Sequence, residues 1–381
     1  MNNDYSAPEA ARVLGISLAT LYSYVSRGLL TPTSQATSRS KRYPREDVLR
    51  LAARKADAKR GGHMAVGAMS WGVPVLETRI SHIADGHLYY RGHDAVALAG
   101  HATLETTACI LWDDGQRDYF SGDAPTLPPG WLEQARALTQ GMAPLERAMA
   151  LLPMLAKDAA DDFKARPALM RLLAAILLDT SPSARPIHEQ VGLAWGADAE
   201  QAQLIRAALV LLADHELNAS TFTVRCVAST GASLAVVLSA GLAALSGAKH
   251  GGGSRSLRAL FDEAPLEFVP ASQEGYGHPL YPDGDPRAAC LLERLRSSPS
   301  LTQKGGAILE LNAAACKLHG AAPHADLALA ALEIACGWPQ SAGMILFALA
   351  RAAGWIAHAA EQVESGAMIR PRARYVGRYP S

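Results

Sequence analysis

The chain has 381 residues, 49% hydrophobic, 19% charged and 6% aromatic, which is too long for one ordinary domain and ample for a large core. Lys and Arg balance Asp and Glu at 36 each, yet residues 1–60 hold eleven basic against five acidic side chains, leaving 25 against 31 in the rest. A basic head and a mildly acidic body follow. The cysteines Cys109, Cys226, Cys290, Cys316 and Cys336 are odd in number and share no CxxC spacing, which argues against a disulfide framework or a zinc site.

The first elements belong to the head. Ser6-Ala7-Pro8-Glu9 is a capping box with proline in the first turn, so a helix starts at Ala7 and stops at Gly15. Ser17 caps a second helix, Leu18 to Arg27, which ends at Gly28. The polar, basic stretch from Thr31 to Tyr43 reads as a β-wing, and a third helix is expected from Arg45 to Arg60. Two short helices around a glycine turn, followed by a wing, resemble the winged helix-turn-helix of the MerR and excisionase type. That resemblance implies DNA binding. The second helix would enter the major groove with Thr20, Ser23, Tyr24 and Arg27, while Arg39, Lys41 and Arg42 would meet phosphates. A small basic domain of this kind can also serve protein interaction alone.

Gly61-Gly62 reads as a linker, and the character turns apolar from Met64. Asp85-Gly86, with apolar residues on both sides, predicts a β-hairpin in an otherwise helical body. Ala228 to Ala248 is 21 residues without a charge, long enough for a membrane span. Its Ser, Thr and Gly content and polar flanks favour a buried core helix. The opening Met1–Asp4 has neither the basic nor the apolar region of an export signal, so a cytoplasmic location and no membrane association are expected.

Four motifs carry the chemistry of the second half. They are Asp214-His215-Glu216-Leu217-Asn218-Ala219-Ser220-Thr221, Gly247-Ala248-Lys249-His250-Gly251-Gly252-Gly253, Gly275-Tyr276-Gly277-His278-Pro279-Leu280-Tyr281 with Gly284-Asp285-Pro286-Arg287, and Pro323-His324-Ala325-Asp326. Singly, each reads as a helix end, where histidine suits the C-terminus and aspartate the N-terminus. Together, imidazoles beside glycine-rich backbone leave room for a ligand, and a carboxylate at a helix start can act as a base. Arg287, Arg351 and Arg370 would fork onto carboxylates better than lysines could. This set suits an anionic substrate that loses a proton next to a carbonyl.

In order and wording the motifs resemble citrate synthases and methylcitrate synthases, over roughly Val73 to Gly377. The resemblance implies a helical large domain at 64–250 and 337–381. It also implies a smaller mobile domain at 251–336, hinged near Gly251–Gly253. Further implied are a homodimer, no resident cofactor or metal, and condensation of acetyl-CoA or propionyl-CoA with oxaloacetate. By the same resemblance His215 bonds the 2-oxo acid, His250 holds the thioester enol oxygen, His278 polarises the ketone and Asp326 is the base. Arg287 and Arg351 clamp carboxylates, Arg370 reaches a neighbouring subunit's site, and Gly275, Tyr276 and Gly277 cradle part of CoA. The usual Asn-Val-Asp-Phe stands here as His324-Ala325-Asp326-Leu327. Lys249 is expected to keep His250 neutral by charge repulsion. The basic head leaves open a second function, that of a DNA-binding regulator whose synthase-like body senses a metabolite.

Overall fold

The computed structural model describes residues 4–26, 30–33, 41–45, 47–49, 51, 76–113, 115–155, 165–251, 275–298, 303–373 and 375–377. It divides into two units, Met1–Glu77 and Thr78–Ser381.

In the first unit the capping box forms as the sequence requires. Ser6 N–H and hydroxyl both meet Glu9 Oε2 at 2.8 Å, and α1 (Ala7–Leu14) ends at Gly15, whose φ of +60° suits glycine. Ser17 Oγ accepts from Thr20 N–H at 3.2 Å at the start of α2 (Leu18–Ser26). Ala10, Ala11, Leu14, Leu21, Leu30, Tyr43 and Val48 form the buried core. Residues 42–43 (β2) pair antiparallel with residues 5–6 (β1), Tyr5 opposite Tyr43. The base of the expected wing closes at an antiparallel bridge between Thr33 and Arg42. The wing tip and most of the expected third helix lie outside the described residues.

The second unit opens with an antiparallel sheet in the order β3 (Ser81–Ala84), β4 (His87–Tyr90), β5 (His93–Asp94). Asp85 and Gly86 take φ of +51° and +77°, the left-handed turn that Asp-Gly favours and that suits strand twist. Helices follow: α3 (Ala95–Ala99), α4 (Leu104–Asp113), α5 (Trp131–Leu138), α6 (Pro144–Leu155), α7 (Arg166–Leu178), α8 (Ile187–Trp195), α9 (Ala199–Leu211), α10 (Ala219–Ala228), α11 (Leu234–Leu245), α12 (Pro286–Arg296), α13 (Gln303–His319), α14 (Ala325–Ala335) and α15 (Ala342–Glu364). The apolar run that met the length of a membrane span turns at Gly231 (φ +79°), and its helical part is the 12-residue α11. Helix α15 alone, among the described residues, is long and apolar enough to cross a membrane, and that apolar stretch is buried in the core. A helix apolar on all sides is what a core centre needs.

Helix α15 packs against α4, α6, α7, α9, α10, α11 and α14. At Gly354 its backbone touches the chain leaving α9: Gly354 N–H donates to Ala213 O at 3.1 Å. A Cβ there would run into Ala213 O and the Asp214 side chain. Backbone atoms cannot swing aside, so Gly354→Ala is expected to destabilise by about 1–3 kcal/mol, the usual cost of overpacking. Thermal unfolding checks it; an unchanged midpoint would mean that the two segments are not in contact.

Candidate active site

Three successive residues after α9 are pinned to α15 and β4. Tyr90, buried in β4, puts its hydroxyl 3.0 Å from the carbonyls of Val210 and Leu211. Arg351 Nε donates to Leu212 O at 2.9 Å, and Gly354 holds Ala213. These bonds satisfy carbonyls that a helix end leaves without partners. The fully buried Asp214 accepts from Ser81 Oγ and from Glu216 N–H at 3.2 Å, and lies 3.3 Å from His358 Nε2. Burial pushes the Asp214 carboxyl up, but His358, Arg351 and Ser81 together bring it below its ordinary value, so it is ionised.

Next in the chain, His215 is buried with Nε2 3.0 Å from Tyr281 Oη and stands edge-on to His278. Burial, then the charges of Arg287 and Arg351, hold it well below an ordinary histidine. Asn218 caps α10, which brings Ser220 into its first turn. Ser220 Oγ lies 2.8 Å from His250 Nε2 and 3.3 Å from Trp355 Nε1. His250 is lowered to about 4, by burial first and by Arg351 next. Lys249, the expected cause, is exposed and contributes nothing resolved. An exposed ammonium is screened by water, whereas a buried guanidinium is not.

The second group of residues hangs on Asp285. Its Oδ1 caps α12 by accepting from Arg287 N–H at 3.0 Å, and its Oδ2 accepts from Ala325 N–H at 3.0 Å at the start of α14. The same carboxylate takes the Arg287 fork, Nε at 2.9 Å and Nη2 at 2.7 Å. Arg287, expected as a carboxylate clamp, forms a buried ion pair with Asp285 through Nε and Nη2, which does not use Nη1. Residues 275–281 lie against 322–324: Gly277 N–H donates to Ala322 O and His324 N–H to Gly275 O. Gly275 and Gly277 take φ of +91° and +76°. Tyr276 bonds Asn312 at 3.3 Å and lies tilted against His319, ring centres 5.2 Å apart. His278 Nδ1 accepts from Leu280 N–H at 3.2 Å, which puts the proton of the neutral ring on Nε2. Burial and then Arg287 lower His278 to about 4.

Asp326 opens α14 with Oδ2 3.2 Å from His324 Nδ1. Its Oδ1 is buried without a hydrogen-bond partner. Arg351 is 1% exposed, and its Nη1 and Nη2 are buried without partners. Its charge lies over the Phe347 ring at 4.7 Å. Burial lowers it to about 10, which leaves it cationic at neutral pH.

Residues 68–372 match the family model for citrate synthase, C-terminal domain. The chain belongs to the citrate synthase family. Residues 5–56 match a helix-turn-helix domain model. Among its relatives is the citrate synthase of Haloferax volcanii, 29% identical over 360 residues, covering 80% of this chain and 94% of that protein. The crystal structure of citrate synthase from Thermotoga maritima aligns with a TM-score of 0.67 at 25% identity, over 81% of this chain and 95% of the other. The Thermoplasma acidophilum enzyme, solved with carboxymethyl coenzyme A and oxaloacetate, aligns at 0.65 and 24% identity, over the same 81% and 95%.

Within this citrate synthase fold, His215, His250, His278, Asp326, Arg287 and Arg351 converge. Arg370 does not: it is exposed, and Nη1 bonds the neighbouring Pro371 O at 2.9 Å. In the head, Thr20 Oγ1 shares a 2.9 Å bond with Ser17, Tyr24 packs half-buried against the core, and Lys41 and Arg42 are exposed. Arg27, Arg39 and the side chain of Ser23 lie outside the described residues. Sequence reasoning missed Ser220, Tyr281, Asp285 and His358 as partners of the site. The face of α15 held a signal for one of them: Arg351, Gly354, Trp355 and His358 recur at helical spacing.

The depressed histidines make stability depend on pH. His250 and His278 would titrate near 6.5 in the unfolded chain and at about 4 in the fold. Between those values the unfolded chain binds more protons, so stability is full above 6.5 and falls as pH drops toward 4. The thermal midpoint is expected to decline across that window, and His250→Gln or His278→Gln to flatten the decline. A flat wild-type midpoint from pH 7 to about 4.5 would mean that both rings protonate freely in the fold.

Proposed function

We propose that this site condenses an acyl-CoA thioester with oxaloacetate and releases CoA with citrate, or with methylcitrate if the acyl group is propionyl. The observation that carries the reading is that the Arg351 fork and Asp326 Oδ1 are buried without hydrogen-bond partners in a site that also holds three neutral imidazoles. A buried guanidinium without partners is costly and calls for an anion. A carboxylate of oxaloacetate fits it.

The chemistry follows from each group's state. Asp326 Oδ1 takes a proton from the carbon next to the thioester carbonyl, and the C–H electron pair moves into the enolate. A carboxylate is too weak a base to do this unaided, so the enolate oxygen needs a donor in a dry site. His250 supplies that donor from Nδ1–H, provided that the single proton of Ser220 points to His250 Nε2 and not to Asn218 Oδ1, which is 2.8 Å away. The enolate carbon attacks the oxaloacetate ketone, polarised by Nε2–H of His278, with His215 bonding the same substrate. The C=O π pair goes to the ketone oxygen, which takes up one proton to become the adduct's hydroxyl, balancing the proton given to Asp326. Water then cleaves the thioester of the adduct. Acyl-CoA enters as a substrate, not a resident cofactor.

Residues 251–336 are read as the small domain, carrying His278, Arg287 and Asp326 over the His215, His250 and Arg351 of the large domain, 64–250 and 337–381. Arg370, exposed on the C-terminal segment, is read as reaching the partner site of a homodimer. Five free cysteines support a reducing, cytoplasmic setting. Purified protein with oxaloacetate and acetyl-CoA or propionyl-CoA should release CoA, and Asp326→Ala should cut the rate by at least about 100-fold while oxaloacetate still binds. No release with either thioester would overturn the reading.

The head at residues 1–60 is read as a DNA-binding domain, supported by its match to a helix-turn-helix model and by exposed Lys41 and Arg42. In a gel shift with the DNA upstream of its own coding sequence, the full chain should give a discrete complex. The double variant Lys41→Ala/Arg42→Ala should weaken it and lower the log–log salt slope by about 2, one for each lost phosphate contact. Equal weak binding to any duplex would count against a specific site.

A further inference from the structure

We propose that Tyr281 is a positioning residue that sets oxaloacetate affinity by holding the His215 ring with its hydroxyl. The inference rests on the part of the reading above in which His215 bonds the 2-oxo acid. Tyr281 closes a tight turn: its N–H donates to His278 O at 2.9 Å, with Pro279 at the second position to preset the bend. Gly284 N–H then donates to Tyr281 O at 3.0 Å. The turn folds the Tyr281 ring back against His278, ring centres 5.1 Å apart, and the residue is 1% exposed. From the first turn of α12, the Arg287 guanidinium lies 5.5 Å from the centre of the same ring. Backbone, His278 and Arg287 together fix where the hydroxyl points, and it points at His215 Nε2, 3.0 Å away.

Among the interactions of the described residues, this is the one hydrogen bond to the His215 ring. The remaining contacts are ring contacts, edge-on with His278 at 5.3 Å and tilted with Tyr281 itself at 5.6 Å. Ring contacts alone restrain an imidazole weakly, because the torsion that turns it has broad preferences. Burial keeps the phenol protonated, pushed up to about 12, and burial with Arg287 and Arg351 keeps the imidazole neutral. One proton therefore bridges two neutral groups, and the ring is held whichever of the two donates it. The bond occupies Nε2 and leaves Nδ1 to face a substrate.

An imidazole free to turn presents Nδ1 to the oxo acid for only part of the time, and affinity falls with that fraction. Tyr281→Phe separates this role from packing. Phenylalanine keeps the ring that meets His278 and Arg287 and loses only the bond to His215.

The test is a double-mutant cycle on oxaloacetate affinity, measured by calorimetry without thioester, in wild type, Tyr281→Phe, His215→Ala and the double variant. Tyr281→Phe should weaken oxaloacetate binding by about threefold to tenfold, the scale of one hydrogen bond. In the His215→Ala background the same change should cost less than about twofold, because the ring it positions is gone. A tyrosine that only supports the fold would cost the same in both backgrounds. Thermal midpoints show that each variant is folded at the titration temperature, and His215→Leu replaces His215→Ala as the background if the alanine variant does not fold. In turnover at saturating oxaloacetate, the KM of Tyr281→Phe for the acyl-CoA should stay within about twofold of wild type, since the hydroxyl acts on the oxo acid. Equal loss in both backgrounds, no loss in either, or a rise in the acyl-CoA KM as large as the loss of oxaloacetate affinity overturns the proposal alone. Wild type that binds oxaloacetate but releases no CoA overturns the condensation reading, and the cycle still decides on Tyr281. Wild type that does not bind oxaloacetate overturns both.

Discussion

The site depends on one face of one helix. Arg351, Gly354 and His358 of α15 engage Leu212, Ala213 and Asp214 in turn, so the chain leaving α9 cannot shift without breaking all three. His215 is the next residue, and its imidazole direction is set by that register. The cost of burying charge here is large: a fully buried aspartate and a nearly fully buried arginine would each lose several kcal/mol of hydration if unpaired. Asp214 is compensated by His358, Ser81 and a backbone N–H. Arg351 is compensated only in part, by Leu212 O, the Phe347 ring and the field of Asp214. Its Nη1 and Nη2 remain buried without partners.

The same burial sets the protonation of the histidines. Three imidazoles within reach of two guanidinium groups stay neutral because desolvation and like charge act in one direction on each. Neutrality suits the chemistry. A neutral N–H can donate to an enolate or ketone oxygen without transferring its proton fully, and it leaves the carboxylate of Asp326 without a cationic imidazole to tame it. The arginines are therefore the charges that keep the rings uncharged.

Much of this was legible in the sequence where the determinant is local. The capping box at Ser6, the glycine stop at Gly15 and the Asp85-Gly86 turn each depend on residues within four positions, and each forms as read. The four motifs pointed to the residues that converge, because histidine beside glycine and aspartate at a helix start mark helix ends, where backbone and ligand can meet. Tertiary facts were not legible. Nothing in the sequence showed that Asp285, two residues earlier, turns its cap carboxylate onto the Arg287 guanidinium. Lys249 looked like the charge next to His250, but chain neighbours need not be neighbours in space, and Arg351, a hundred residues on, takes that role. Helix phase packs one side of Tyr24 against the core of the head and leaves it half-buried.

Asp285 shows how the remaining pieces are held in register. One carboxylate caps α12, bonds the first turn of α14 and pairs with Arg287, so Arg287 and the backbone beside Asp326 share a single anchor. His278 joins them through the backbone bonds between residues 275–277 and 322–324. The His215–Tyr281 bond at 3.0 Å then links this group to the turn after α9. Any closure over a substrate must therefore carry His278, Arg287 and Asp326 as one body, because moving one alone would strip a buried carboxylate of its partners. The tie is mutual: the carboxylate that holds Arg287 is the one that caps α12 and reaches the first turn of α14.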